Sequence, residues 1–302
     1  MSMRLHYLRA TALLPRQVVD RLESLPIHPF RMQYHRQLQR ALQAGPPYRP
    51  SYRSIVIDVT TACNLKCVDC NRSCGSAQAP SDERMSPEQI DKFIRECVDR
   101  NKHFKEIDLE GGEPTLHPQL HEIVSLILNY RDRWAPRTEV KVMTNGHGPQ
   151  VPEALSRLPR GRVDIQNSHK SSSVKKPHCP FNVAPCDVEE FRDRVLPHGC
   201  YLVELYGLGL TRHGYYPHPI CAGIDRVFGF DVGRKSLPLP DDQLDDQFSK
   251  LCRLCGFYRH SLQLRSGRDP SHEPDVKPGR QSGSWSTAYE NYRKQRPKLS
   301  EY

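Results

Sequence analysis

The chain has 302 residues, of which 37% are apolar, 26 are proline and 11 are cysteine, and it carries a formal net charge of +9. No apolar run approaches the ~20 residues that cross a bilayer. Met1 to Leu25 threads charges through its apolar residues, so neither signal peptide nor anchor is expected, and the cytoplasm is the expected compartment. A large charged chain there keeps its thiols reduced, which makes the cysteines ligands, reactive groups or packing. The basic residues are spread out with no nucleic-acid-binding signature among them, so neither nucleic acid nor membrane is expected as a partner.

Residues 1–50 read as a helical lead-in, with Leu13, Val18, Val19, Leu22 and Leu25 forming a partial apolar stripe that Gly45-Pro46-Pro47 closes. From Ser54 the pattern becomes strand, loop, helix, repeated. Strands are predicted at Ser54 to Val59, Glu106 to Leu109, Glu139 to Met143 and Arg162 to Gln166, and helices at Pro87 to Arg100 and Leu120 to Tyr130. The second helix-forming run starts late in its loop, whereas the first is announced by Ser86-Pro87-Glu88-Gln89: an N-cap, a proline in the first turn and early acidic charge. Strands alternating with helices imply parallel βαβ units, whose ligands gather at the carboxyl ends of the strands. Lys170 to Lys176 reads as a mobile loop over that end or as a plain linker.

Three segments follow three of these strands. Cys63, Cys67 and Cys70 stand as C-x3-C-x2-C after the first, Glu110-Gly111-Gly112-Glu113-Pro114 after the second, and Met143-Thr144-Asn145-Gly146 after the third. Three thiolates on one loop can hold three irons of a [4Fe-4S] cluster and leave the fourth iron open to a small ligand. A structural zinc site or an electron carrier is the alternative, though neither needs a separate Gly-rich loop. The three segments together resemble the radical S-adenosylmethionine (SAM) superfamily. The resemblance implies a partial (β/α)6 TIM barrel over residues 51–195. It also implies a SAM-binding [4Fe-4S] cluster on Cys63, Cys67 and Cys70, with SAM held by Gly111, Gly112, Glu113, Pro114, Thr144 and Asn145. The backbone and Glu113 would receive the SAM ammonium. One electron would then cleave SAM to a 5'-deoxyadenosyl radical that abstracts hydrogen from carbon, the electron coming from a donor such as flavodoxin or ferredoxin.

Further along, Leu208 to Ile220 reads as a hairpin turning at Arg212-His213-Gly214. Cys200 lies before it, Cys221 after it, and Cys252 and Cys255 form a later C-x2-C. This resembles the twitch auxiliary-cluster domain of some radical SAM enzymes, and implies a small C-terminal iron-sulfur domain over 196–260 with a second [4Fe-4S] cluster. A four-cysteine zinc site is the alternative. The spacing departs from the usual pattern, in which a cysteine follows the hairpin glycine by four residues; His218 stands there instead, so either His218 or Cys221 is the second ligand. Cys97, among Phe93, Ile94 and Val98, reads as core. Residues 261–302 read as a polar tail or as a strap anchored by Trp285 and Tyr289.

The reaction turns on the fate of the substrate radical. A thiol that returns hydrogen on the opposite face makes an epimerase, loss of a proton and an electron makes a dehydrogenase, and attack on a second group makes a crosslink. Cys252, Cys221, Cys186, Cys255 and Cys179 are the unranked candidate hydrogen-atom donors. The acidic run Asp241-Asp242-Gln243-Leu244-Asp245-Asp246, with Asp187, Glu189, Glu190, Asp225 and Asp231, suits a polycationic substrate such as an aminoglycoside, or else is a solvated acidic loop. The expected activity is an aminoglycoside epimerase of antibiotic biosynthesis. The alternatives are an aminocyclitol dehydrogenase, a peptide-modifying enzyme, and a non-catalytic iron-sulfur or zinc scaffold.

Overall fold

The computed structural model describes residues 50–74, 78–170, 181–192, 200–258 and 279–302, with a few isolated positions before residue 50. The expected helical lead-in, Cys179 and the 171–176 part of the lysine loop lie outside the described residues. The elements run β1 (Ser54–Thr60), α1 (Pro87–Asp99), β2 (Glu106–Gly111), α2 (Leu120–Trp134), β3 (Glu139–Thr144), α3 (Gln150–Ser156) and β4 (Asp164–Asn167). They continue with α4 (Glu189–Arg192), α5 (Tyr201–Tyr206), β5 (Leu208–Thr211), β6 (Gly214–Tyr216), α6 (Pro219–Phe228), α7 (Asp245–Leu251) and α8 (Gly283–Lys294).

Helix α1 starts as its sequence predicts. Ser86 and Gln89 form a reciprocal capping box, satisfying two backbone donors at once, and Pro87 sits in the first turn. Helix α2 continues four residues past the expected Tyr130 to Trp134, where Arg131 and Arg133 in its last turn complement the negative end of the helix. Strand β4 begins at Asp164, two residues later than expected, because Arg162 N–H still closes a turn on Pro159.

Four strands follow the predicted order: β1 pairs with β2, β2 with β3 and β3 with β4, all parallel. The six-strand barrel order does not continue. The sheet reads β4-β3-β2-β1-β5-β6, with β5 parallel on the far side of β1 and β6 antiparallel beyond it. The hairpin does turn at Arg212-His213, but it extends the main sheet instead of starting a separate layer. The architecture is a mixed α/β fold with a mostly parallel sheet, and the segment expected as a small separate domain shares its core. Among the described residues no helix is long and apolar enough to cross a membrane.

Side chains alternate across the strands, and the alternation sorts two faces. Ile55, Ile57 and Val59 of β1, Ile107 and Leu109 of β2, and Val140 and Val142 of β3 join the apolar core with Ile90, Phe93, Ile123 and Ile127 of the helices. The other, inner face carries Asp58, Glu106, Asp108, Glu110, Lys141 and Asp164. Helix α6 closes this face beside β5: a Cβ on Gly209 would stand 2.4 Å from Pro219 N, so only glycine lets the helix come that close. Trp285 and Tyr289 of α8 are 0% and 2% exposed, which makes residues 279–302 a strap anchored as expected.

Candidate functional site

The three loops after β1, β2 and β3 are stitched into one surface. Gly112 N–H donates to Thr60 O and Glu113 N–H to Ala62 O, each at 2.8 Å, binding the end of β2 to the start of the cysteine loop. Gly111 has φ +134°, and a Cβ on either Gly111 or Gly112 would lie 2.1 Å from a carbonyl oxygen of that loop. The neighbouring backbone by itself requires these glycines, and the positive φ of Gly111 is one that glycine alone adopts readily. Pro114 is buried at the start of a 3-10 turn.

Glu113 sits at the centre of this stitching. It is 0% exposed. Its Oε1 accepts from Thr115 N–H at 3.2 Å, Thr115 O–H at 2.7 Å and Thr144 O–H at 2.8 Å, and its Oε2 accepts from Asn145 N–H at 2.7 Å. Three of these donors share Oε1 and one takes Oε2, so Glu113 ties the β2 and β3 loops together while Oε2 keeps one lone pair open. Asn145 extends the tie, donating from Nδ2 to Asn64 Oδ1 in the cysteine loop at 2.8 Å.

Cys63, Cys67 and Cys70 are half-buried. Burial pushes the Cys63 thiol up to about 11, and Cys70, Cys67 and Glu113 add to the rise, so the three sulfurs lie within one another's field. Lys170 Nζ reaches Cys67 Sγ at 3.9 Å and its N–H bonds Asn145 O. Three thiols on one loop, two of them acting on Cys63, are a donor set suited to an iron-sulfur cluster, whose irons would replace the thiol protons.

The second set also comes together. Cys200, Cys221, Cys252 and Cys255 are 5–7% exposed. After burial, the charges acting on Cys221 are Cys255 and Cys200, and those on Cys252 are Cys221, Cys255 and Cys200. Cys221 thus shares its surroundings with the other three thiols. His218 caps α6, its Nδ1 accepting from Ile220 N–H at 3.2 Å, and burial and then Arg72 hold its ring well below the usual imidazole range. Soft thiol donors suit a cluster or zinc, but these four are not drawn in around one ion. Among the described residues no group of three or more His, Cys, Asp or Glu is set to hold a single metal ion.

A small cavity lies between the first cysteine loop and α6, lined among others by Asp58, Arg72, Cys74, Glu83, Gly223 and Arg226. Arg72 binds Asp58 Oδ2 at 3.3 Å and Glu110 Oε2 at 2.7 Å. Arg226 donates to Tyr292 Oη at 2.7 Å and Ser73 O at 2.9 Å. Cys74, absent from the expected donor set, puts its thiol here, 3% exposed and pushed well up by burial and then by Cys70. Cys186 instead packs its sulfur on Asp187 Oδ1 at 3.8 Å and Ser284 Oγ at 3.7 Å, and Cys97 is core, as expected.

The acidic run does not line a cleft. Arg234 holds Asp242 at 3.0 Å and grips both oxygens of Asp246, at 2.8 and 2.6 Å. Asp225 accepts from Tyr216 O–H and Val232 N–H, Asp187 from Ser284, and Asp241, Asp245, Glu189 and Glu190 are exposed. The carboxylates that do face inwards are those of the strands, and the alternation in E-I-D-L-E over Glu106–Glu110 was the signal for them.

Comparison with known proteins agrees with the three-loop geometry. Residues 57–171 match the Radical SAM superfamily. The matched segment contains the cysteine loop, Gly111 to Pro114, Thr144 and Asn145, and Lys170. A probable GTP 3',8-cyclase of Methanothermobacter marburgensis is 35% identical over 107 residues, 35% of this chain and 31% of that protein. The GTP 3',8-cyclase of Mycobacterium marinum is 30% identical over 110 residues, 36% and 29% respectively. The radical SAM match thus spans about a third of those relatives' own length. Among solved structures, BtrN in complex with AdoMet and 2-DOIA has a TM-score of 0.37 at 13% identity, covering 77% of this chain and 98% of that one. Streptococcus suis SuiB bound to S-adenosylmethionine has a TM-score of 0.27 at 14% identity, covering 45% and 26%.

Proposed function

We propose that this chain is a radical SAM enzyme that abstracts hydrogen from a carbon of a sugar or aminocyclitol, and that the outcome is epimerisation of the kind neomycin C epimerase performs. The observation that carries the reading is the joining of the Cys63-Cys67-Cys70 loop to the Gly111–Pro114 and Thr144–Asn145 loops through Glu113 and Asn64. A bound [4Fe-4S] cluster on those three thiolates would supply the electron that cleaves SAM. The chain's own contribution is to fix the loop, to place Lys170 beside Cys67, and to present the inner strand face to a substrate. Cys200, Cys221, Cys252 and Cys255 suit a second [4Fe-4S] cluster, which leaves Cys74 as the thiol on the cavity beside the first loop. Cys74 is accordingly the favoured hydrogen donor. Flavodoxin or ferredoxin fits the role of electron donor.

The GTP cyclisation named for the relatives is disfavoured by charge, since a triphosphate would face the carboxylates of the inner strands. Anaerobic reconstitution with iron and sulfide, followed by dithionite and SAM, tests the reading. The wild type should release 5'-deoxyadenosine and Cys63→Ala, Cys67→Ala or Cys70→Ala should not. Turnover of candidate aminocyclitol glycosides in deuterium oxide should add one mass unit to an inverted product, and Cys74→Ala should still cleave SAM without that addition. Full SAM cleavage by the triple cysteine variant would end the radical reading, and normal inversion by Cys74→Ala would end the assignment of Cys74.

A further inference from the structure

The inner face of the sheet holds carboxylates that the fold leaves unfinished. Register places Asp108 between Val56 and Lys141, Lys141 beside Asp164, and Asp58 beside Glu110. Cross-strand neighbours stand about 5 Å apart and diagonal ones about 7–8 Å apart, so Asp58 and Asp108 share one small area. Asp58 is 8% exposed, and its Oδ1 accepts no hydrogen bond although Arg72 holds its other oxygen. Asp108 Oδ1 also accepts none, and Lys141 Nζ, already bound to Glu106, stands 3.8 Å from it. A buried carboxylate oxygen without a donor is costly, so a fold that keeps two of them together is shaped for a donor from outside.

Every charged group packed on this area has been placed. Arg72 and Arg226 act on Asp58 against Glu110, and Lys141 acts on Asp108 against Glu106, Glu110 and Asp164. Burial outweighs the arginines, and Asp58 is pushed up to about 6; burial likewise outweighs Lys141, and Asp108 is pushed up to about 7. The cations of the fold do not satisfy these two groups. An alkylammonium brings three N–H donors and a full positive charge, and a neutral hydroxyl brings one donor and no charge.

We propose that Asp58 and Asp108 form a subsite for the ammonium groups of a small di- or polyamine, with the free Oδ1 atoms as acceptors. The inference rests on the reading that the inner face receives the substrate, and it supplies the residues that select the substrate's class. Asp58 also lines the cavity that holds Cys74, so an amine held there would sit beside the thiol.

Equilibrium dialysis on the reconstituted full chain tests this, with a 1,3-diaminocyclitol as probe and myo-inositol as its neutral counterpart. The diamine should bind at least about tenfold more tightly than inositol, and its affinity should rise between about pH 5.5 and pH 7.5 as the two carboxyls lose their protons. Asp58→Asn and Asp108→Asn should each weaken the diamine by about tenfold or more and leave inositol unchanged. Equal binding of the two probes, or unchanged diamine affinity in both variants, overturns the subsite. Should a variant fold poorly, the thermal shift of the wild type decides: protection by the diamine and not by inositol supports the subsite, and equal or no protection refutes it. A chain that binds the diamine in this way yet never cleaves SAM keeps the subsite and loses the radical reading.

Discussion

Replacing Glu113 by glutamine changes one atom in the middle of the site, and its cost can be worked from the four bonds that the carboxylate accepts. The amide keeps the shape but turns one acceptor into a donor. If its nitrogen takes the Oε1 position it meets three donors; if it takes the Oε2 position it meets only Asn145 N–H. The second orientation is cheaper. It orphans one buried backbone donor, at about 1–3 kcal/mol. It also converts three charge-assisted bonds into neutral ones of about half the strength, roughly another 2 kcal/mol together. A loss of about 3–5 kcal/mol follows, a large share of the ~5–15 kcal/mol that holds a typical domain. Urea unfolding of the iron-free chain near neutral pH should show it as a lower midpoint with an unchanged slope, and thermal unfolding as a drop of about 10 °C. Glu122→Gln, on the exposed side of α2, is the control and should change neither. If Glu113→Gln unfolds within about 1 kcal/mol of the wild type, Glu113 is not the tie described here.

Two further outcomes follow from burial. Asp58 and Asp108 take up protons on folding, because their folded values of about 6 and about 7 lie above the usual 3.8; the folded state binds more protons, so their contribution is full below about pH 4 and is lost as pH rises through 6 to 7. The melting temperature of wild type relative to Asp108→Asn should therefore fall between about pH 4.5 and pH 8, and a flat or rising difference would contradict the assignment. Trp285→Ala should cost about 3–5 kcal/mol, since the ring is 0% exposed among Phe181, Phe228 and Tyr289 and its Nε1–H bonds Leu254 O at 2.9 Å; a loss under about 1 kcal/mol would show that α8 is not a structural strap.

What the sequence made legible was local. The period of two in S-I-V-I-D-V-T, the capping box at Ser86 and the turn at Arg212-His213 are set by near neighbours, and each formed where expected. The position of β5 was not legible, because a pairing between Leu208 and Ile55 depends on what the intervening segment packs against. The acidic run is less available than it looks for a related reason: Arg234 stands well before Asp242 and Asp246 in sequence, and it takes up those two of the run's carboxylates. The close approach of Thr60 and Ala62 to the glycines after β2 is a tertiary contact that their own neighbours in sequence do not encode. Cys74 escaped because its spacing matched no ligand pattern, and only the fold shows which side of the loop it faces.

The final helix joins the two thiol sets from outside. Tyr289 Oη bonds Ser73 and Asn182, Asn182 Nδ2 bonds Asp69 in the first cysteine loop at 3.0 Å, and Trp285 bonds the turn between Cys252 and Cys255. On the ribosome every one of those cysteines emerges before the segment that fastens over them, with synthesis of the intervening stretch taking roughly several seconds. Iron and sulfide delivered during that interval meet open loops; delivered afterwards, they must wait for the clasp to breathe.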